Sequence, residues 1–129
     1  CNDAGTNKFC IARFHSNGVI DTSFGNSGKV IQDIATGDAL GYSLAIQHDG
    51  KILLGGYCND AGTNKFCIAR FHSNGSLDVS FNNIGYVIQD IASGEDTAYS
   101  LAIQSDGKII LGGSCEDPSN YEFCLARFK

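Results

Sequence analysis

The sequence contains no run of basic residues and no long apolar stretch, and both absences narrow what the chain can do. Lys and Arg together number 9 against 14 Asp and Glu, a formal net charge of -5 over 129 residues. A nucleic-acid footprint needs clustered positive charge to neutralise phosphates, so this balance argues against such a partner. Apolar runs stop after a few residues, as at Ile109-Ile110-Leu111, too short for a membrane span. The opening Cys1-Asn2-Asp3-Ala4-Gly5 has polar loop composition rather than a leader's apolar centre, although a secreted precursor that had lost its leader reads the same way. Helical periodicity is also missing, since no window longer than about ten residues spaces its apolar positions as a surface helix does. EF-hand loops, P-loops and paired catalytic carboxylates are absent too, so no cofactor and no metal are expected. What is present is a 43% hydrophobic content, too high for a disordered tail, together with 16 glycines. The composition describes a soluble, Gly-rich, β-type chain.

Self-similarity organises the rest. Cys1–Gly18 reads CNDAGTNKFCIARFHSNG, and Cys58–Gly75 repeats the same eighteen letters at an offset of 57. Over the whole period 43 of 57 aligned positions are identical. A third copy starts at Cys115 and runs for fifteen residues, keeping Cys115, Asp117, Phe123, Cys124, Ala126, Arg127 and Phe128 in register. The chain is two whole repeats and a fragment.

Within one period the apolar residues keep a strand rhythm. Gly85–Ile91 and Tyr99–Gln104 are the first two runs, followed by Ser105-Asp106-Gly107-Lys108, whose Asp-Gly pair suits a tight hairpin turn. Ile109–Gly113 and Phe123–Phe128 are the third and fourth, and the stretch from His72 to Phe81 is dense in turn formers. Four short strands and no helix per period, at a period of 57, fit a β-propeller blade better than a β-solenoid, whose coils are shorter. A four-stranded sheet cannot hide both faces alone, so each unit must stack on copies of itself.

These residues also carry a family resemblance. Leu77-Asp78-Val79-Ser80-Phe81 with Gly85 and Val87, then Leu101–Ile109, Gly112-Gly113 and Phe66–Phe71, supply LDxSF, QxDGKI and ARF elements. The whole chain resembles the delta-60 repeat of bacterial surface and secreted proteins, which is assigned to β-propellers of undefined function. The resemblance implies a propeller fold and an exported setting, not a reaction. The cysteine pairs lie outside that pattern.

With Val30–Ile34 taken as the innermost strand and Ala-Arg-Phe as the outermost, the chain divides into an orphan outermost strand (1–14), a first blade (15–72) and a second blade (73–129). Two four-stranded antiparallel blades plus one extra strand cannot close a ring, because propellers need about 4–8 blades. Closure therefore calls for self-assembly or a longer array, and the surplus strand offers an edge for strand exchange or for joining copies into a filament.

The six cysteines form three pairs nine residues apart: Cys1 with Cys10, Cys58 with Cys67, and Cys115 with Cys124. If Cys58 lies directly opposite Cys67, then Gly56 faces Ala69 and Leu54 faces Phe71, and each pair closes a hairpin disulfide. That arrangement implies an oxidising compartment, at the cell exterior or surface. Buried reduced thiols are the alternative, with zinc a weaker one, because Cys-x8-Cys is not a zinc-knuckle spacing.

Candidate chemistry is thin. His15 and His72 adjoin Ser16 and Ser73, with Asp21 or Asp78 as possible orienters of a nucleophilic pair, but solvated turns explain them more simply. His48 stands alone in a hairpin turn. Asp21, Ser23, Asp78 and Ser80 recur at what this division makes a blade junction, where their side chains suit turn-fixing hydrogen bonds. Asp38, Glu95 and Asp96, with the neighbouring Tyr42 and Tyr99, occupy the stretch where the copies diverge most, the place for specialised ligand or loop contacts. Arg13, Arg70 and Arg127 sit among apolar strand neighbours and are expected to pair with a carboxylate of the adjoining blade or to cover that blade with their aliphatic stems. Asn74-Gly75-Ser76 matches a glycosylation acceptor formally, but its counterpart Asn17-Gly18-Val19 does not. The expected function is a non-enzymatic, exported binding or scaffold module whose partner is a glycan, a surface protein or copies of itself. A structural subunit of an oligomer or filament is the alternative, and a hydrolase a remote one.

Overall fold

The computed structural model describes residues 1–129. In chain order the strands are β1 (Asn2–Asp3), β2 (Thr6–Asn7), β3 (Phe9–Ala12), β4 (Lys29–Gln32), β5 (Ala39–Ile46) and β6 (Ile52–Asp60). They continue as β7 (Thr63–Phe71), β8 (Tyr86–Gln89), β9 (Asp96–Ile103), β10 (Ile109–Asp117) and β11 (Asn120–Phe128). The only helical element is a short 3-10 turn, Phe81–Asn83. Each period supplies four strands, as the apolar rhythm predicts. The hairpin turns fall at Asp49-Gly50 and Asp106-Gly107, where the glycines have φ of 83° and 84°.

The strands are all paired antiparallel and form a complete four-stranded sheet, β5-β6-β7-β8, flanked by a two-stranded sheet β3-β4 and a three-stranded sheet β9-β10-β11. The tip hairpin β1-β2 pairs separately. None of these sheets closes on itself, and the set is an incomplete propeller built of four-stranded blades.

The pairing changes the strand order expected from the repeat. The segment that begins at Val30 does not lead the sheet that follows it. β4 pairs back onto β3, with Ile11 opposite Val30, and β8 pairs back onto β7, with Ile68 opposite Val87. The strand of Phe9–Ala12 is therefore not an orphan, and in the complete sheet the Ala-Arg-Phe strand, β7, is internal. The sheets span 9–32, 39–89 and 96–128, so boundaries at 15–72 and 73–129 cut through them. The cause is the fourteen-residue return after β7. Gly85 O accepts the Arg70 N–H at 2.9 Å and Arg70 O accepts the Asp78 N–H at 2.9 Å, which folds the chain back alongside β7.

Sheets stack face to face, and alternation along each strand decides which neighbour a side chain meets. Ile52, Leu54, Cys58, Cys67, Ala69 and Phe71 form one core with Phe9, Ile11, Phe24, Val30 and Ile34 of the first sheet. The other face of the same sheet sends Leu53, Phe66, Ile68 and Phe81 against Ala98, Ile109, Leu111 and Cys115 of the third. Buried on both sides, β6 and β7 read as nearly continuous apolar runs. Gly55 lies under Leu111, and a Cβ there would stand 2.6 Å from Leu111 Cδ2. Next to it, Gly56 faces the carbonyl of Leu40 at the bulge between Gly41 and Ser43. The Gly-Gly pair therefore admits both the neighbouring sheet and the neighbouring strand.

Three disulfides join Cys1 to Cys10, Cys58 to Cys67 and Cys115 to Cys124, with Cα–Cα separations of 5.9, 5.8 and 5.9 Å. The register differs from the direct opposition expected. Cys58 faces Lys65, Cys67 faces Gly56, and Leu54 faces Ala69. The turn sets this offset: Ala61 and Gly62 both take positive φ, 53° and 92°, forming a two-residue connection whose twist matches the strands. The bridge runs diagonally across the hairpin, and strand twist keeps that diagonal within bridging range. Three such bridges require an oxidising environment to form and persist. No helix is long and apolar enough to cross a membrane.

Candidate functional site

Two recurring constellations contain the polar residues singled out in the sequence. The first is built around Asp21 and, one period later, Asp78. Arg70 Nε donates to Asp78 Oδ2 at 2.8 Å, while Asp78 Oδ1 accepts the Ser80 N–H at 3.1 Å and the Ser80 hydroxyl at 2.6 Å. Lys51 Nζ adds an ion pair at 3.2 Å, and the Arg70 guanidinium lies over the Phe81 ring, 4.7 Å from its centroid. The earlier copy repeats the pattern with Arg13, Asp21, Ser23 and Phe24. Arg13 also donates to Ser73 O at 2.7 Å, tying the first sheet's return to the second's.

The Ser80 hydroxyl, with Lys51, the Ser80 N–H and Arg70, holds the Asp78 carboxyl far below the usual carboxylate range, against the opposing effect of burial. Ser23, through its hydroxyl and N–H, and then Arg13 lower Asp21 likewise. Arg13 and Arg70 thus do find carboxylates, but within their own sheets rather than across to the next, and Arg127 has none. The junction assignment of Asp21, Ser23, Asp78 and Ser80 moves with them. They fix the return between the last two strands of one sheet, while passage between sheets occurs at 33–38 and 90–95.

His72 Nε2 stands 3.6 Å from Asp78 Oδ1, and His15 Nε2 3.8 Å from Asp21 Oδ1. The serine held by each carboxylate is Ser80 or Ser23, whereas Ser73 contributes its carbonyl to Arg13. The aspartate occupies the centre of the set and accepts from the arginine and the serine. A nucleophile–base–orienter chain needs the histidine in that central place.

The second constellation lies where the leading strands of adjacent sheets converge. The Leu101 N–H donates to Ser43 Oγ at 3.1 Å, linking β9 to β5. Tyr42 and Tyr99, one period apart, stand with ring centroids 5.5 Å apart, and Tyr57 of β6 joins them at 6.0 Å from Tyr42. Tyr42 and Tyr99 are 49% and 56% exposed, so this ladder presents ring surface to solvent. Burial, then the neighbouring Tyr42, Asp38, Glu95 and Tyr99, pushes the Tyr57 phenol up. Beside the ladder a groove of about 520 Å³ is lined by Asp38, Tyr57, Asn59, Asn64 and Thr6 among others.

The divergent acidic residues have defined partners. Asp38 Oδ1 accepts the Asn7 N–H at 2.7 Å, and Glu95 Oε2, its counterpart, accepts the Asn64 N–H at 2.9 Å. Each therefore clamps the hairpin tip of the preceding sheet. Asp96 is fully buried, with Oδ2 accepting the N–H groups of Ile91 and Ala92 at 2.8 and 3.2 Å. The first copy has Ala39 at this position, equally buried. Asp38, Glu95, Tyr42 and Tyr99 are thus gathered in one region, and Asp96 lies beneath it, out of reach of solvent. Lys51 and Tyr57 were not singled out in the sequence. Tyr57 is one of the few positions at which the copies differ, being Ser114 in the second, and that difference was its only signal.

The family described as a β-propeller domain of unknown function, DUF5122, matches residues 2–24, 47–81 and 104–129, well over half of the chain. No curated protein and no solved structure matches it.

Proposed function

Because the chain belongs to the DUF5122 β-propeller family, we propose that it is a non-enzymatic, exported binding module that holds a neutral glycan on the Tyr42–Tyr57–Tyr99 ladder. The exposed ladder carries this reading. Tyrosine rings offer flat apolar area with a hydroxyl at the rim, the chemistry that sugar faces and sugar hydroxyls complement. Asp38 and Glu95 supply acceptors nearby, while their charge and the net charge of -5 disfavour uronic or sialic acids. The location suits a ligand too, because inner strands of a propeller face its central channel. The finer resemblance to the delta-60 repeat, through LDxSF, QxDGKI and ARF, supports a bacterial surface or secreted setting, and the three disulfides agree with an extracellular one. The non-enzymatic reading is supported by the Asp78 constellation, whose groups are engaged with one another.

The test is binding of the chain to an array of neutral and acidic oligosaccharides, followed by titration of the strongest ligand. Tyr42→Ala and Tyr99→Ala should each weaken neutral-glycan binding by about tenfold, the loss of one stacking contact. No neutral ligand at all, or binding untouched by both variants, would overturn the reading.

A further inference from the structure

The front face of β11 is open. Phe123 is 103% exposed and Leu125 77%, although their counterparts Phe66 and Ile68 in β7 are completely buried, and Phe9 and Ile11 in β3 are 0% and 9% exposed. The free edge of β11 is the edge that β7 uses to pair with β8. Arg127 lacks the carboxylate that Arg13 finds in Asp21 and Arg70 in Asp78. At the other end of the molecule the back face of the first sheet is open as well, with Ile31 53% exposed where Ile88 packs on the core.

One rearrangement meets all of these vacancies. The β11 segment FCLARF differs from the β3 segment FCIARF at a single residue. We propose that β11 of one copy replaces β3 in a second copy, pairing with that copy's β4 and completing a four-stranded blade from two chains. The slot is already shaped for it. Phe123 and Leu125 take the places of Phe9 and Ile11, against Ile34, Ala39, Ile52 and Leu54 of the second copy, and Arg127 reaches its Asp21. β10 and β9 then supply the two strands that the first sheet lacks, and the β5-β6-β7-β8 sheet of the first copy, on which they already stack, covers its open back face. The displaced segment 1–14 is the surplus strand.

One feature opposes the exchange. Lys8 bridges Asp3 and Asp33 at 3.3 Å each, whereas the residue that replaces it in β11 is Glu122. Glu122 brings a like charge to Asp33 of the second copy, so intact chains exchange only as concentration rises. This surface is distinct from the tyrosine ladder, so glycan binding and assembly stand or fall separately.

Sedimentation and light scattering on the full chain, from about 1 to 200 µM, test the proposal. Wild-type protein should associate with rising concentration. Glu122→Lys should lower the association midpoint several-fold, and Phe123→Asp should raise it by at least about tenfold. Hydrogen exchange distinguishes replacement from simple stacking, because amides of residues 9–12 must lose protection in the assembly while those of 120–128 gain it. A monomer throughout the range for both wild type and Glu122→Lys overturns the proposal. So does an assembly in which residues 9–12 stay protected, or one indifferent to Phe123→Asp.

Discussion

Phe66 and Phe123 occupy the same place in near-identical strands, yet one is fully buried and the other fully exposed. If stacking of sheets is what makes this chain a folded protein, the two should answer the same substitution very differently. Phe66→Ala removes a ring from a site walled by Leu53, Ile68, Phe81, Ala98 and Leu111. Lost transfer free energy and an uncollapsed cavity together cost about 3–5 kcal/mol for such a site. At roughly 3–5 °C per kcal/mol for a chain of this size, the midpoint should fall by about 10–20 °C. Phe123→Ala removes a ring already in solvent and should stay within about 0.5 kcal/mol of the parent. Phe9→Ala, buried against the second sheet, should group with Phe66→Ala. Urea and thermal unfolding, run dilute so that association does not contribute, read all three. Equal losses for Phe66→Ala and Phe123→Ala would refute the stacking of the second sheet on the third.

Other substitutions probe other parts of the structure. Replacing both Cys58 and Cys67 by serine opens a bridge that closes a short loop, and should cost about 2–3 kcal/mol in denaturant titration; six free thiols by mass after alkylation under non-reducing conditions would contradict the disulfides outright. Asp78→Ala leaves Arg70 and Lys51 without their shared carboxylate, and should destabilise by about 3–5 kcal/mol, with a smaller loss for the more exposed Asp21. Since the folded Asp78 carboxyl lies below its unfolded value, its contribution is complete above about pH 4 and disappears as pH falls further. Asp78→Asn should therefore flatten the acid limb of stability against pH, and an unchanged acid limb would count against the network. Gly55→Val drives side-chain atoms into Leu111 and should cost about 1–3 kcal/mol, whereas a neutral result would mean that the sheets lie further apart.

Much of the fold was legible because its determinants are local. The 57-residue period, the four runs per period and the Asp49-Gly50 and Asp106-Gly107 turns all lie within short windows, and so does the nine-residue spacing of each cysteine pair. Strand partnership is not local. Nothing between residues 86 and 91 says whether they pair forward to β9 or back to β7, and the choice rests on the return held by Arg70 and Asp78. The hairpin register was missed by two residues because Ala61 adopts positive φ, which its side chain gives no reason to expect. The tyrosine ladder could be read only as two equivalent residues in a divergent stretch. Its third ring, and the clamping of Asn7 and Asn64 by Asp38 and Glu95, depend on how one sheet lies against the next.

The claim on which the blade description depends is that β4 and β8, the segments following the Ala-Arg-Phe strands β3 and β7, pair back onto them. Cross-strand NMR contacts decide it directly, because antiparallel neighbours bring backbone protons together only in one register. The pairing predicts backbone contacts between Ile68 and Val87, between Cys67 and Ile88, and between Ile11 and Val30. Contacts joining Tyr86–Gln89 to β9 or Lys29–Gln32 to β5, in place of these, would contradict the blade described and the interchangeability of β3 and β11 with it.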